Sequence, residues 1–219
     1  MATEQFIKVQ KPNFKIIVVD IVGRERLQVH RLGKKLREEF EARDDNKPIK
    51  KKNKRDYDAE FLDSLHYIDA NYKSAPMPRK ITRSTKFGFP SSGFKKAIVS
   101  ACRNYKNLKM TEIKGRVFVL NEFVEIKGTP IMDKFWRRIG SKGSGTGTPD
   151  IGVRAVFPKW EATLYIRYNA DLIDAESVVN LVQSAGESVG IGEDRPERQG
   201  NIFGTWDVKS KMRKCKKAS

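Results

Sequence analysis

A strand followed by a capped helix, in residues 161–188, constrains the fold of this chain more than any other feature of its sequence. Apolar and polar residues alternate along the first half of the segment, which is typical of a β-strand with one buried face. One face carries Ala162, Leu164, Ile166 and Tyr168, and the other carries Thr163, Tyr165 and Arg167. Asp174 then stands where a helix N-cap is expected. The apolar stripe that follows is Val178, Leu181, Val182 and Ala185, and Gly186 is predicted to end the helix.

Three earlier segments also have clear local patterns. Residues 14–22 are mostly β-branched and apolar and predict a buried strand that ends at Gly23. Apolar residues at helical spacing predict a helix from Val29, and its stripe is Val29, Leu32, Leu36 and Phe40. Ser91 or Ser92 is expected to cap a second helix. The stripe of that helix is Phe94, Ala97, Ile98 and Ala101.

The remaining pattern completes a fold prediction. Residues 115–126 predict two short strands that form a hairpin with a turn near 121–122, and residues 203–208 predict a final strand. This order of elements predicts an α+β fold, a ferredoxin-like or RRM-like antiparallel sheet with its helices on one face. Tyr165 and Arg167 would then lie on an open face, where bases or phosphates can meet them. The alternative is that a further layer covers these two side chains.

The charge of the chain is concentrated in two runs. Its 219 residues include 44 Lys and Arg against 27 Asp and Glu, a formal net charge of +17. Residues 47–55 and 209–217 each hold six basic residues and no acidic one. Such runs favour contact with a polyanion, most often nucleic acid. The alternative is that they are solvated segments that improve solubility.

The two basic runs also define the expected domain organisation. Residues 43–58 are almost wholly charged or polar, and we interpret them as a flexible basic insertion. Residues 209–219 are interpreted as a basic disordered tail. The rest of 1–208 is long enough to form a single domain with a core of its own.

A glycine-rich loop is predicted at residues 140–149. It lacks the Lys-Ser/Thr pair that a P-loop requires, and no helix pattern follows it, as a dinucleotide fingerprint would need. The basic residues around it are Arg137, Arg138, Lys142 and Arg154. Such a loop can approach a sugar-phosphate backbone closely. An ordinary mobile loop is the alternative.

Nothing in the sequence indicates a catalytic site, a metal or a cofactor. His30 and His66 are isolated, and neither Cys102 nor Cys215 has a neighbour at zinc-ligand spacing. The acidic residues of 187–197 alternate with arginines, which favours salt bridges over acid–base chemistry. No Gly-x-Ser-x-Gly turn supports a serine nucleophile. A metal-independent nuclease built from scattered residues is the one enzymatic alternative left open.

The expected compartment follows from what the sequence lacks. No run of about 20 apolar residues is present that would span a bilayer. The first residues have no apolar signal-peptide core. Two distant cysteines suit a reducing environment. We therefore expect a cytoplasmic protein with no membrane contact.

Two stretches resemble known families. Residues 89–97, Phe-Pro-Ser-Ser-Gly-Phe-Lys-Lys-Ala, are similar to a turn and helix of the RAMP superfamily. Its members are the RRM-like RNA-binding subunits of CRISPR effector complexes, especially the backbone subunit. Residues 157–204 resemble a group of small phage-encoded proteins. The matching runs include Phe157-Pro158-x-Trp160 and Val189-Gly190-x-Gly192-Glu193-x-Arg195-Pro196-Glu197.

The resemblance implies a phage protein that binds a single strand along its backbone, stacks beside copies of itself and needs no cofactor. It would act in the cytoplasm of a prokaryote or a phage-infected host. In the RAMP superfamily a glycine-rich loop after the last strand and helix touches RNA. The matching glycines here are Gly190, Gly192, Gly200 and Gly204. Acidic and polar residues make this region less basic than in the family, namely Glu193, Asp194, Glu197 and Gln199.

The residues and the resemblance agree on a non-enzymatic protein that binds single-stranded RNA or DNA with little sequence preference. The residues expected to contact phosphate are Lys95, Lys96, Arg103, Arg137, Arg138, Lys142, Arg154 and Arg167, with Tyr165 stacking on bases. Lys51, Lys52, Lys54 and Arg55 are expected to add affinity. The main alternative is a phage protein-interaction factor that mimics a CRISPR backbone subunit and interferes with a host defence complex. The third is the nuclease.

Overall fold

The computed structural model describes residues 9–31, 44, 55–68, 80–139, 147–209 and 213–214. The helices are α1 (Tyr57–Ser64), α2 (Ser91–Ala101), α3 (Met110–Arg116), α4 (Ala175–Ser188) and α5 (Pro196–Gln199), with a 3₁₀ turn at Cys102–Asn104. The strands are β1 (Phe14–Gly23), β2 (Leu27–Val29), β3 (Phe87–Pro90), β4 (Val117–Val119), β5 (Phe123–Lys127), β6 (Ile131–Ile139), β7 (Thr148–Phe157), β8 (Glu161–Asn169), β9 (Trp206–Val208) and β10 (Arg213–Lys214). No helix in these ranges is long and apolar enough to cross a bilayer.

The main sheet has seven strands, and β1 and β8 lie at its centre. They pair along almost their whole length, from Phe14 opposite Asn169 to Val22 opposite Glu161. β9 and β10 pair with β1, whereas β4 and β5 pair with β8, and β3 extends the sheet beyond β5. Every pair is antiparallel. With α2 between β1 and β4 in the chain and α4 between β8 and β9, this is the ferredoxin-like arrangement, so the predicted α+β class is confirmed.

One face of the main sheet packs against α2 and α4. The alternation along β8 is as predicted, because Leu164 and Ile166 are buried while Tyr165 and Arg167 are exposed. Phe94 of α2 contacts Trp206 of β9, with ring centroids 5.7 Å apart. The predicted apolar stripes of both helices are buried in the same core.

Asp174 caps α4 as predicted. Its carboxylate accepts hydrogen bonds from the Ser177 N–H at 2.9 Å and from the Ser177 hydroxyl at 2.7 Å, which lowers the pKa of Asp174. Gly186, however, does not end the helix, which continues to Ser188. The glycine allows α4 to approach β9 closely, because a Cβ at position 186 would lie 2.2 Å from the carbonyl oxygen of Trp206.

The start of α2 differs from the prediction. Ser91 is already the first helical residue, Pro90 occupies the N-cap position, and no side chain caps the helix. The Ser91 N–H instead donates to the carbonyl of Glu122 at 3.0 Å. A backbone contact with the segment before β5 therefore fixes the point where α2 begins.

Residues 115–126 do not form the predicted hairpin. β4 and β5 both pair with β8 and continue one another along it. The Leu120 N–H still donates to the Tyr165 carbonyl at 2.8 Å, but Asn121 then adopts a positive φ of 69°. The turn residue is where the sequence predicts it, but it interrupts one strand and does not reverse the chain.

A second sheet of three strands has the order β2–β7–β6. Val29 pairs with Ala155 of β7, so it belongs to a strand and not to the helix predicted from it. The other stripe residues of that helix, Leu32, Leu36 and Phe40, lie outside the described residues. β6 and β7 form a long hairpin that begins with Ile131 opposite Val156. The glycine-rich stretch 140–149 follows β6, and its residues 140–146 lie outside the described part.

The two basic runs are described only in part. In the insertion expected at 43–58, the structure describes residue 44 and residues 55–58, and Tyr57 begins α1. In the tail expected at 209–219, it describes residue 209 and β10. β10 pairs with β1 at Ile17 and Val18.

Candidate nucleic-acid interface

The face of the main sheet opposite α2 and α4 brings together side chains from strands that are far apart in the sequence. Arg167 of β8 lies opposite Ile16 of β1 on one side and opposite Phe118 of β4 on the other. Directly opposed residues in antiparallel strands share one face of the sheet. We call the surface formed by Phe14, Ile16, Phe118, Tyr165 and Arg167 the open face.

Arg167 contacts two aromatic rings of the open face. Its Cζ atom is 5.1 Å from the ring centroid of Phe14 and 5.1 Å from that of Phe118. The two rings meet edge to face, with centroids 6.3 Å apart. Cation–π contacts of this kind hold a guanidinium in place without neutralising its charge. In the described part of the chain, no carboxylate forms an ion pair with Arg167.

Lys95 reaches the edge of the open face from the first turns of α2. Its Nζ atom is 3.9 Å from the ring centroid of Phe118. The ammonium donates hydrogen bonds to the carbonyls of Lys114, at 2.7 Å, and of Val117. Burial lowers the pKa of Lys95, and the charge of Arg167 lowers it further. Two carbonyls therefore anchor Lys95, and it adds positive charge beside Phe118.

Tyr165 supplies an exposed ring on the same face of β8 as Arg167. It is 42% exposed, and Phe14 and Ile16 are each 41% exposed. Clustered exposure of large apolar side chains is typical of an interaction surface. Nucleobases stack on aromatic rings whatever their sequence. The open face thus combines a stacking platform with a permanent positive charge.

Three other predicted contact residues lie away from the open face. Lys96 is exposed on α2 and lines a cleft beside that helix. Arg103 forms an ion pair with Glu197 at 3.3 Å. Arg154 donates from Nε to Glu193. The two arginines therefore use part of their hydrogen-bonding capacity inside the protein.

Arg55 is bound more fully still. Its Nε and Nη2 atoms each donate to Glu60 at 2.7 Å, and its Nη1 atom donates to Asp150 at 2.6 Å. The hydrogen bonds to Glu60 raise the pKa of Arg55 although burial opposes them. Arg137 and Arg138 belong to β6, but their side chains lie outside the description. Lys51, Lys52, Lys54 and Lys142 also lie outside the described residues.

The sequence prediction missed Phe14, Ile16 and Phe118 as members of this surface. It treated residues 14–22 as a buried strand, because the run is almost continuously apolar. In the structure β1 alternates, so that Ile17 is buried while Ile16 is exposed. Apolar residues occur on both faces of β1, so the sequence does not show which face is exposed.

The described residues offer no metal centre. Within the ranges that the structure covers, no group of three or more His, Cys, Asp and Glu side chains is arranged to hold a metal ion. The side chains of the open face themselves offer stacking, cation–π contact and charge.

No protein-family model and no curated protein sequence matches this chain. Among solved structures, it is similar to a chain of the type III-B Cmr-beta bound to cognate target RNA, with 12% identity and a TM-score of 0.46 over 91% of this chain and 60% of that one. The chain thus spans about three-fifths of the length of that relative. It is similar to Cmr6 from Pyrococcus furiosus, with 12% identity and a TM-score of 0.40 over 90% of this chain and 98% of Cmr6. It is also similar to a chain of a CRISPR RNA-guided surveillance complex, with 11% identity and a TM-score of 0.34 over 84% of this chain and 65% of that one.

Proposed function

We propose that this chain is a non-enzymatic protein that binds single-stranded RNA or DNA across the open face. The observation behind the proposal is the position of Arg167, in contact with both Phe14 and Phe118, with Tyr165 exposed on the same strand. A single strand exposes base faces and phosphates together, whereas a duplex hides its base faces. A ring for stacking beside a cation for phosphate therefore fits a single strand.

The proposed contacts carry little sequence information. Every base has a face that can stack on Tyr165, and phosphate contacts do not distinguish bases. The formal net charge of +17 would attract a polyanion from a distance. Lys95 would add charge at the edge of the open face. The other basic residues predicted from the sequence stay predictions.

The direct test is fluorescence anisotropy of a labelled single strand titrated with the full chain at increasing salt. We expect saturable binding that weakens steeply as salt rises. A matched duplex should bind more weakly, because it offers no base faces for Tyr165. Absence of binding to the single strand at low salt would overturn the proposal. Gel analysis of the same samples with a chelator tests the non-enzymatic part, since the strand should stay intact, whereas the nuclease alternative predicts cleavage.

The resemblance in residues 89–97 and 157–204 supports two further parts of the proposal, a phage origin and stacking of copies along one strand in the host cytoplasm. Stacked copies would give a complex whose protein-to-strand ratio grows with strand length. Light scattering of complexes on a series of strands measures this ratio. A ratio that stays at one for every length would contradict stacking.

One observation favours the alternative, a protein-interaction factor. Trp136 is 79% exposed and Ile131 is 52% exposed, both on β6 at the edge of the second sheet. Exposed edge strands with apolar side chains are a common mode of protein recognition. A pull-down from nuclease-treated host lysate, with Trp136→Ser as the control variant, tests this function. A partner that survives nuclease and is lost with Trp136→Ser would support it.

A further inference from the structure

A positively charged cleft lies apart from the open face. It is a cleft of about 480 Å³ between the start of α2, the end of β2 and the loop before α5. This volume falls within the range of roughly 300–1,000 Å³ that is usual for small-molecule sites. The charged and imidazole side chains that matter for the argument are His30, Arg31, His66, Lys96, Arg195 and Arg198. No member of the open face lines the cleft.

The fold holds one wall of the cleft closely against β2. Gly192 has a φ of +83°, and a Cβ there would lie 2.4 Å from the Gln28 carbonyl oxygen. The next N–H, of Glu193, donates to the same carbonyl at 2.9 Å. The Ile191 N–H donates to the Gly204 carbonyl oxygen at 3.1 Å. This loop is therefore a fixed wall that positions the arginines following it.

The carboxylates in the cleft already have partners. Glu193 accepts from Arg154, and its Oε1 atom lies 3.0 Å from His30 Nδ1. Glu197 forms ion pairs with Arg103 at 3.3 Å and with Arg195 at 3.7 Å. Arg154 and Arg103, which do not line the cavity, thus partly neutralise the two carboxylates, so these oppose an incoming anion less than isolated carboxylates would.

The cleft carries an excess of positive charge. Three arginines, one lysine and two carboxylates line it, a formal net charge of +2 with histidines counted as neutral. His66 is neutral at pH 7, because burial and then the nearby Arg31 and His30 lower its pKa to about 4. In the described part of the chain, Lys96 and Arg198 form no ion pair. Their charges remain available to a ligand.

We propose that this cleft binds a phosphomonoester dianion, either on a free nucleoside monophosphate or at the phosphorylated end of a strand. Such a group carries about −1.5 to −2 charges at pH 7 and several acceptor oxygens. It therefore matches the net charge of the lining residues, whereas a phosphodiester inside a strand carries only one. Phe89 also lines the cleft and offers a base an apolar surface. The proposal does not depend on strand binding at the open face.

Isothermal titration of the full chain with adenosine 5′-monophosphate, inorganic phosphate and adenosine tests the site. We expect the monophosphate to bind saturably, inorganic phosphate to compete with it, and adenosine alone to bind far more weakly. Lys96→Ala combined with Arg198→Ala should weaken binding about tenfold or more, because charge-assisted hydrogen bonds are lost. Both side chains are exposed, so the fold should persist. Lys106→Ala combined with Lys109→Ala removes two exposed charges outside the cleft and should leave binding unchanged.

Strands of one sequence with a 5′-phosphate, a 3′-phosphate or only hydroxyl ends identify the source of the phosphate. A gain in affinity for one phosphorylated end, lost in the Lys96/Arg198 double variant, would assign the strand end. Monophosphate binding without such a gain would assign the free nucleotide. No saturable monophosphate binding together with no end dependence, or binding unaffected by the double variant, would overturn the proposal. Failure of the hydroxyl-ended strand to bind would count against the open face alone.

Discussion

The guanidinium carbon of Arg167 lies 5.1 Å from the ring centroid of Phe118, its register partner on the neighbouring strand. The contact fixes the direction of a charge that has no carboxylate partner among the described residues. A side chain that is already ordered loses less conformational entropy when it binds a phosphate. The expected contribution of Arg167 is therefore that of a pre-positioned phosphate ligand.

Replacing Arg167 by Gln should lower single-strand affinity and flatten its salt dependence. One phosphate contact fewer reduces the slope of log affinity against log salt by about 0.7 for a single strand. Anisotropy titrations at several salt concentrations measure both quantities. Arg24→Gln is the matched control, because Arg24 is paired with Asp207 and does not belong to the open face. A slope that is the same in Arg167→Gln and in the parent chain would rule out this phosphate contact.

Replacing Tyr165 by Ala should weaken single-strand binding by about 1–3 kcal/mol, the usual value of one base stacked on an aromatic ring. Tyr165→Phe should bind nearly as well as the parent, since it keeps the ring. Tyr105→Ala removes a tyrosine of similar exposure, 40% against 42%, that lies outside the open face. Equal losses in Tyr165→Ala and Tyr105→Ala, measured by the same anisotropy assay, would argue against stacking.

Two of the five residues of the open face were predictable from the sequence. Tyr165 and Arg167 alternate with buried residues of one strand, so their shared face follows from local periodicity. Phe14 and Phe118 join them only through the register of β1 and β4 against β8. That register joins segments some 50 to 150 residues apart in the chain, and no local pattern encodes it.

The errors at element ends have a similar cause. Glycine commonly ends a helix, but Gly186 lies inside α4. Its lack of a side chain is what allows β9 to approach the helix closely. Serine is a common N-cap residue, but the Ser91 N–H donates to the Glu122 carbonyl. The helix then begins at Ser91, with Pro90 in the N-cap position. In both places a contact with a distant segment overrides the local preference.

Glu193 should contribute stability that disappears in acid. Burial raises its pKa, but the hydrogen bonds from His30 and Arg154 outweigh burial and lower the pKa from 4.5 to about 2. A carboxyl whose pKa is lower in the folded state stabilises the fold above its ordinary pKa, and this stabilisation is lost as pH falls from about 4.5 towards 2. Urea unfolding at several pH values should show Glu193→Gln less stable than the parent near pH 6. The difference should shrink as pH falls, and a constant difference would contradict this role.

The contact between Gly186 and Trp206 predicts that alanine substitution changes stability in opposite directions at two helical glycines. A Cβ at 186 would lie 2.2 Å from the Trp206 carbonyl oxygen, and the backbone cannot yield as a flexible side chain would. Gly186→Ala should therefore destabilise the protein by about 1–3 kcal/mol or more. Gly115 of α3 has nothing within 4 Å of its would-be Cβ, so Gly115→Ala should gain about 0.5–1 kcal/mol from helix propensity. Thermal unfolding followed by circular dichroism compares the two, and an unchanged midpoint in Gly186→Ala would mean that α4 can move away from β9.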